Sequence, residues 1–209
     1  MQPRVIVLDF DGTFTRVDDE AAPFLAAFRA SLAELVGHSI DGDWDRAAAA
    51  IEASPDHFGW EFEGRIVAPS HADPYIFATS VGQRLLAERP DARSVLEALF
   101  QRCYPLARTV FRHDAREVVE ALLDRGAPVY VVTNSMTHHV ASKIEALAPR
   151  GAERLTIVGD AKKFALVDAE LAPARFATLP ESVSLPGLHR PVWMRRGRYY
   201  DALERIWAG

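Results

Sequence analysis

Three short aliphatic runs stand out along the chain: Val5–Leu8, Val129–Val132 and Leu155–Val158. Each is bounded by polar or turn-forming residues, the pattern of a strand buried in a parallel sheet. Between the first two runs the period changes. Asp18, Asp19 and Glu20 precede a stretch in which Phe24, Leu25, Phe28, Leu32, Leu35 and Val36 recur at helical spacing up to Gly37. Acids at the start and an apolar stripe behind them predict an amphipathic helix. Asp43–Ala53, Tyr75–Ala87 and Ala92–Tyr104 predict three more, the last two separated by Pro90. Ser54–Pro74 is less regular, with Trp60, Phe62 and Ile66 alternating weakly. Further on, Asp114–Arg125 predicts a helix with Val118, Val119, Leu122 and Leu123 on its apolar side and Gly126 at its C-terminal end. Thr137–Leu147 and Tyr199–Trp207 follow, the latter with Tyr200, Leu203 and Ile206 on one face.

Strand and helix signals therefore alternate at both ends of the chain and not in its middle. The pattern predicts an α/β fold with a Rossmann-like parallel sheet core formed by residues 1–15 and 111–209. Residues 16–110 form an inserted, mainly helical cap.

The polar residues that end the first two runs carry the chemistry. Asp9 and Asp11 emerge from Val5–Leu8 with Phe10 between them, and Gly12 follows. Alternate strand residues face opposite sides, so the two carboxylates can converge while Phe10 points away. The C-terminal ends of strands are where open α/β sheets bind ligands. Two adjacent carboxylates repel unless a cation or shared proton neutralises them, and Mg²⁺ suits such a pair when phosphate is present. Thr133, Asn134 and Ser135 end the second run and open onto a helix, an arrangement that favours an anion.

The stretch Asp9-Phe10-Asp11-Gly12-Thr13 resembles motif I of the haloacid dehalogenase superfamily. Thr133-Asn134-Ser135, standing after it with a helical insertion between, resembles motif II. The resemblance implies that Asp9 is a nucleophile forming an aspartyl-phosphate and Asp11 a general acid and base. Both would hold Mg²⁺, and Thr133 and Asn134 would bind the phosphate. Dehalogenases of the superfamily lack an acid at the second position, so Asp11 implies phosphoryl transfer. The superfamily also has a basic motif III and an acidic motif IV. Leu155–Asp160 looks superficially like motif IV, but it follows Thr133 too closely. The intervening helix, strand, second helix and final strand need roughly 45 residues. Leu155–Val158 is instead the strand after motif II, with Phe164–Val167 as a pairing partner. Arg196, with Arg195 beside it, is then the expected motif III residue, ahead of Lys162 and Lys163. On this register the core is incomplete at its C-terminus, and the chain is expected to continue past Gly209 into the strand bearing motif IV.

The expected activity is a Mg²⁺-dependent phosphomonoester hydrolase acting on a small phosphorylated metabolite. A phosphomutase would use the same residues, and a non-catalytic phospholigand-binding or interaction protein would dispense with motif IV. Composition narrows the field further. Of 209 residues, 49% are hydrophobic and 25% charged, ordinary for a globular protein. A net charge of −5 gives no basic surplus for nucleic acid. Cys103 is the one cysteine, which excludes an intrachain disulfide. No apolar run reaches the ~18 residues of a membrane span, and no signal-peptide pattern opens the chain. A cytoplasmic location is expected. His138 and His139 are adjacent in a helix and so face different directions; they are expected on the surface or toward the cap, not as a metal pair.

Overall fold

The computed structural model describes residues 5–54, 57–167, 176, 178–188 and 190–209. In chain order its elements are β1 (Ile6–Leu8), α1 (Val17–Val36), α2 (Asp41–Glu52), β2 (Gly59–Phe62), β3 (Arg65–Pro69), α3 (Pro74–Leu85), α4 (Ala92–Cys103) and α5 (Ala115–Leu123). They continue with β4 (Val129–Val132), α6 (Thr137–Leu147), β5 (Leu155–Val158), β6 (Ser182–Val183), β7 (Val192–Trp193) and α7 (Gly197–Ala208). The chain divides into two compact units, Met1–Arg16 with Thr109–Val183 and Trp193–Gly209, and Val17–Arg108 with Ser184–Val192. No helix among the described residues is long and apolar enough to cross a membrane.

The first unit is built on a parallel sheet of order β1-β4-β5. Ile6 lies opposite Val129, Leu8 opposite Val131, and Val129 to Val132 run beside Leu155 to Val158. Period-two alternation splits the side chains of β4 between two apolar groups. Val129 and Val131 pack with Phe10 and Phe14, with Val119 and Leu123 of α5, and with Val140 and Ile144 of α6. Val132 packs with Ala161 and with Ala202 and Ile206 of α7, and Tyr130 and Val158 lie against them. Helices on both faces are what a parallel sheet requires, and this is the α/β core that the sequence predicts.

Three details differ from expectation. β1 is less covered than its aliphatic run suggests, because the packed group on the α7 side takes in Val5, Tyr130, Val132 and Val158 but leaves Val7 37% exposed. Phe164–Val167 forms no strand; Val167 donates its N–H to Arg195 O at 2.9 Å. α7 buries Ala202 and Ile206 in place of the expected Tyr200, Leu203 and Ile206 stripe.

In the second unit, Asp18, Asp19 and Glu20 form the first turn of α1, where negative charge opposes the positive end of the helix dipole. Phe24, Phe28 and Leu32 recur every four residues and are fully buried. They share one core with Trp44 and Ile51 of α2, Val81 of α3, and Leu96 and Leu99 of α4. Burying each such side chain contributes roughly 1.5–3 kcal/mol. Asp73 caps α3 by accepting from the N–H groups of Tyr75 at 2.8 Å and Ile76 at 3.3 Å, with Pro74 at the first helical position. The stretch that reads as irregular contains an antiparallel hairpin, β2–β3, in which Phe62 lies opposite Arg65. Its two linking residues, Glu63 and Gly64, both have positive φ. That backbone matches the right-handed twist of the flanking strands.

Candidate active site

Leaving β1, the chain turns tightly through Asp9–Gly12. Phe10 is fully buried and stacks on Phe14 with ring centroids 5.1 Å apart, anchoring the turn from below. The N–H groups of Thr13 and Phe14 both donate to Phe10 O. Gly12 has φ +77°, a conformation glycine adopts at no steric cost. Asp9 and Asp11, on either side of the buried ring, remain exposed.

At the end of β4, Thr133 is fully buried. Its Oγ1 donates to Asp11 Oδ2 at 3.2 Å and accepts from Ser135 N at 3.1 Å. Ser135 Oγ donates to the same carboxylate oxygen at 2.8 Å. The backbone after β5 lies directly on this turn: Asp160 N donates to Ser135 O and Ala161 N to Thr133 O, each at 2.9 Å. Three parallel strands thus deliver their C-terminal ends to one place, as open α/β sheets do.

The loop after β5 supplies the cation. Lys163 Nζ lies 2.6 Å from Asp9 Oδ1, with the lysine side chain 19% and the aspartate side chain 49% exposed. The same oxygen accepts from Phe10 N at 2.7 Å. Asp160 and Lys162 both have positive φ, at 51° and 45°, so the chain is forced through two left-handed residues on its way to Lys163. Asn134 follows Thr133 on the turn after β4, and its Oδ1 accepts from Lys163 N at 2.7 Å.

Arg195 and Arg196, expected at the phosphate, are placed elsewhere. Arg195 Nε donates to Leu179 O at 3.0 Å. Arg196 donates from Nε to Trp193 O at 3.1 Å and from Nη1 to Lys163 O at 3.0 Å. The reason is topological: both arginines follow β7, which is outside the parallel sheet whose strand ends gather the acids. Lys163 follows β5, which is inside it. His138 and His139 are exposed, though their rings meet edge to face with centroids 4.2 Å apart and do not diverge.

The donor set fits a hard cation. With Asp9 Oδ1 and Asp11 Oδ2 engaged, Asp9 Oδ2 and Asp11 Oδ1 have no hydrogen-bond partner among the described residues. No group of three or more His, Cys, Asp or Glu gathers among those residues. Two carboxylates completed by water and a phosphate oxygen are the kind of site that Mg²⁺ takes.

A family model described as "Hydrolase: haloacid dehalogenase-like hydrolase" matches residues 3–169. The chain belongs to this family of hydrolases. No curated protein matches it. Among solved structures it is similar to YfnB from Bacillus subtilis, a candidate HAD-hydrolase whose orthorhombic crystal form was determined bound to magnesium. The TM-score is 0.41 at 14% identity, over 79% of this chain and 69% of that one. In this haloacid dehalogenase-like hydrolase, Ser135 and Lys163 are the contacts that sequence reasoning underrates. Ser135 is three residues past the end of β4, on the same turn as Thr133. Lys163 is five past the end of β5. The signal for both is proximity to the end of a core strand.

Proposed function

We propose that the protein is a Mg²⁺-dependent phosphomonoester hydrolase working through an aspartyl-phosphate on Asp9. The observation that carries this is the division of partners at the end of β1: Asp9 faces an ammonium group, and Asp11 faces two hydroxyls. An Asp9 oxygen attacks phosphorus in line, the bond to the leaving alcohol oxygen breaks, and Asp11 delivers a proton to that oxygen. Asp11 then takes a proton from water as the water oxygen attacks phosphorus, releasing phosphate and restoring the Asp9 carboxylate. This two-step route through a carboxylate nucleophile divides one difficult displacement into two easier ones. Thr133 and Ser135 hold the Asp11 carboxylate in one orientation for both proton transfers. Lys163 offsets negative charge shared by Asp9 and the equatorial phosphoryl oxygens, where most catalysis of this reaction resides. Bound at the open carboxylate oxygens, Mg²⁺ would supply further neutralisation of the phosphate.

Three features support a phosphate ester as the substrate. The acidic second position, the threonine on it and the adjacent lysine all suit phosphoryl transfer. The substrate is a small phosphorylated compound. The test is release of nitrophenol from p-nitrophenyl phosphate with Mg²⁺ and with a chelator in its place. Wild-type turnover is expected only with the metal, and Asp9→Asn is expected to abolish it while leaving the circular dichroism spectrum unchanged. Activity retained by Asp9→Asn would exclude the covalent route.

A further inference from the structure

Lys163 is the only cation in contact with the acids among the described residues, and it sits on a loop rather than on a helix or strand. A lysine is a point charge on a flexible four-carbon stem. Such a charge is fixed in space only when the backbone at its root is fixed. The intrinsic preferences of this loop work against that, because Asp160 and Lys162 both occupy the left-handed region. A non-glycine residue stays there only when its surroundings hold it.

Backbone bonds from Asp160 and Ala161 to the turn after β4 hold the start of the loop, and two side chains from other parts of the first unit hold Lys163 itself. The N–H of Lys163 is tied to Asn134 Oδ1 at 2.7 Å, and its C=O to Arg196 Nη1 at 3.0 Å. Both backbone polar groups of one residue are thus met by side chains, one from the turn after β4 and one from the segment entering α7. Arg196 is itself braced through Nε to Trp193 O. The segment it belongs to lies close to the lysine loop, since Val167 N donates to Arg195 O and Gly197 packs against Val167 with no room for a Cβ. At the other end of the side chain, Lys163 Nζ lies 5.8 Å from the ring centroid of Tyr199, in the first turn of α7.

We propose that Asn134 and Arg196 are positioning residues for Lys163: a two-sided clamp on its peptide groups that holds the ammonium at Asp9. This rests on the phosphatase assignment for its catalytic consequence. It gives both residues a role different from phosphate binding, since each acts through the lysine and touches no substrate. A displacement of about 1 Å at such a group costs on the order of a hundredfold in rate, so the clamp has room to matter.

A double-mutant cycle on p-nitrophenyl phosphate hydrolysis tests it. Asn134→Ala and Arg196→Met are each expected to lower kcat by about tenfold or more in the wild-type background. In a Lys163→Met background they are expected to change it by less than about twofold, because coupled residues are non-additive. If Arg196→Met costs as much in the Lys163→Met background as in the wild type, the arginine acts on the phosphate itself and the clamp is overturned. Amide hydrogen exchange gives a second readout that needs no turnover. Asn134→Ala is expected to speed exchange at the Lys163 N–H by at least about tenfold while Val131 and Val132 in β4 keep their wild-type rates, a local rather than global opening. An unchanged rate at Lys163 overturns the clamp. If the wild-type protein hydrolyses no aryl phosphate, the phosphatase assignment falls, and the exchange measurement alone decides whether the clamp exists.

Discussion

A methyl group at position 159 would fall 2.6 Å from Thr137 Oγ1 and 2.7 Å from Ser135 O, and it would also press on the Thr137 amide nitrogen. Backbone atoms cannot swing aside, so the turn after β4 and the loop after β5 would have to part. Those two segments carry Thr133, Ser135 and Lys163. Gly159→Ala is therefore expected to destabilise by about 1–3 kcal/mol, as overpacking does, and to lower aryl phosphate turnover with it. Urea denaturation beside the nitrophenol assay reads both; a variant with wild-type stability and rate would show that the approach is looser than it looks. At this scale the sequence displays some contacts and hides others. That Asp11 meets Thr133 can be anticipated, because each lies within three residues of the end of an aliphatic run and parallel strands end on the same side. Lys163 is harder to find. Two left-handed residues separate β5 from it, and neither Asp160 nor Lys162 is the glycine that would advertise such a path. The arginine-rich segment Arg195–Arg198 draws attention by composition, yet its first two guanidinium groups serve backbone carbonyls.

Elements are held in place by less conspicuous bonds. Glu120, on α5, accepts from the backbone N–H of Arg150 at 2.9 Å and from Arg116 Nε at 3.1 Å. Arg150 lies just beyond α6, so this carboxylate ties the two helices that cover one face of the sheet. Chiefly the Arg150 N–H, then the Arg116 side chain, hold the Glu120 carboxyl below its ordinary range. A depressed folded-state value means that the unfolded chain binds the proton more readily. The stabilisation is thus present above the ordinary glutamate range and is lost as pH falls through the folded value. Glu120→Gln is expected to melt earlier than wild type at pH 7 and to converge with it in strongly acidic buffer, as thermal scans across pH would show. A gap that persists at low pH would mean that packing, not charge, is responsible. Among the elements, the long amphipathic helices are the easiest to read, since Phe24, Phe28 and Leu32 repeat the helical period without interruption. The hairpin is the least visible. Glu63-Gly64 lacks the Asn-Gly or Asp-Gly signature of a two-residue turn, and each strand is too short to alternate convincingly.

At the scale of the molecule there are separate interiors that share no residue. One surrounds Phe24, Phe28 and Leu32, and the parallel sheet has its own on either face. The change from helix-only patterning to alternating strands and helices makes this division visible in sequence. The segment Ser184–Val192, which groups with the helical unit, shows no such pattern because its described residues form no long element. Phe28→Ala is expected to cost about 3–5 kcal/mol in urea denaturation, the usual range for emptying a fully buried aromatic site. A loss below about 1 kcal/mol would indicate that the helices close over the gap.

Asp11 and the Thr133 hydroxyl it accepts are 122 residues apart in sequence. A ribosome adding about 5–20 residues per second needs on the order of ten seconds to produce the second after the first. Through that interval β1 has emerged without β4, its neighbour in the sheet, while most of the helical unit has already been translated. The nascent chain thus carries its acidic pair, uncommitted, past a unit free to fold, and assembles the lysine contact only when residue 163 has cleared the exit tunnel. Slowing translation between residues 109 and 163 would prolong this half-built state and give chaperones more time to bind β1.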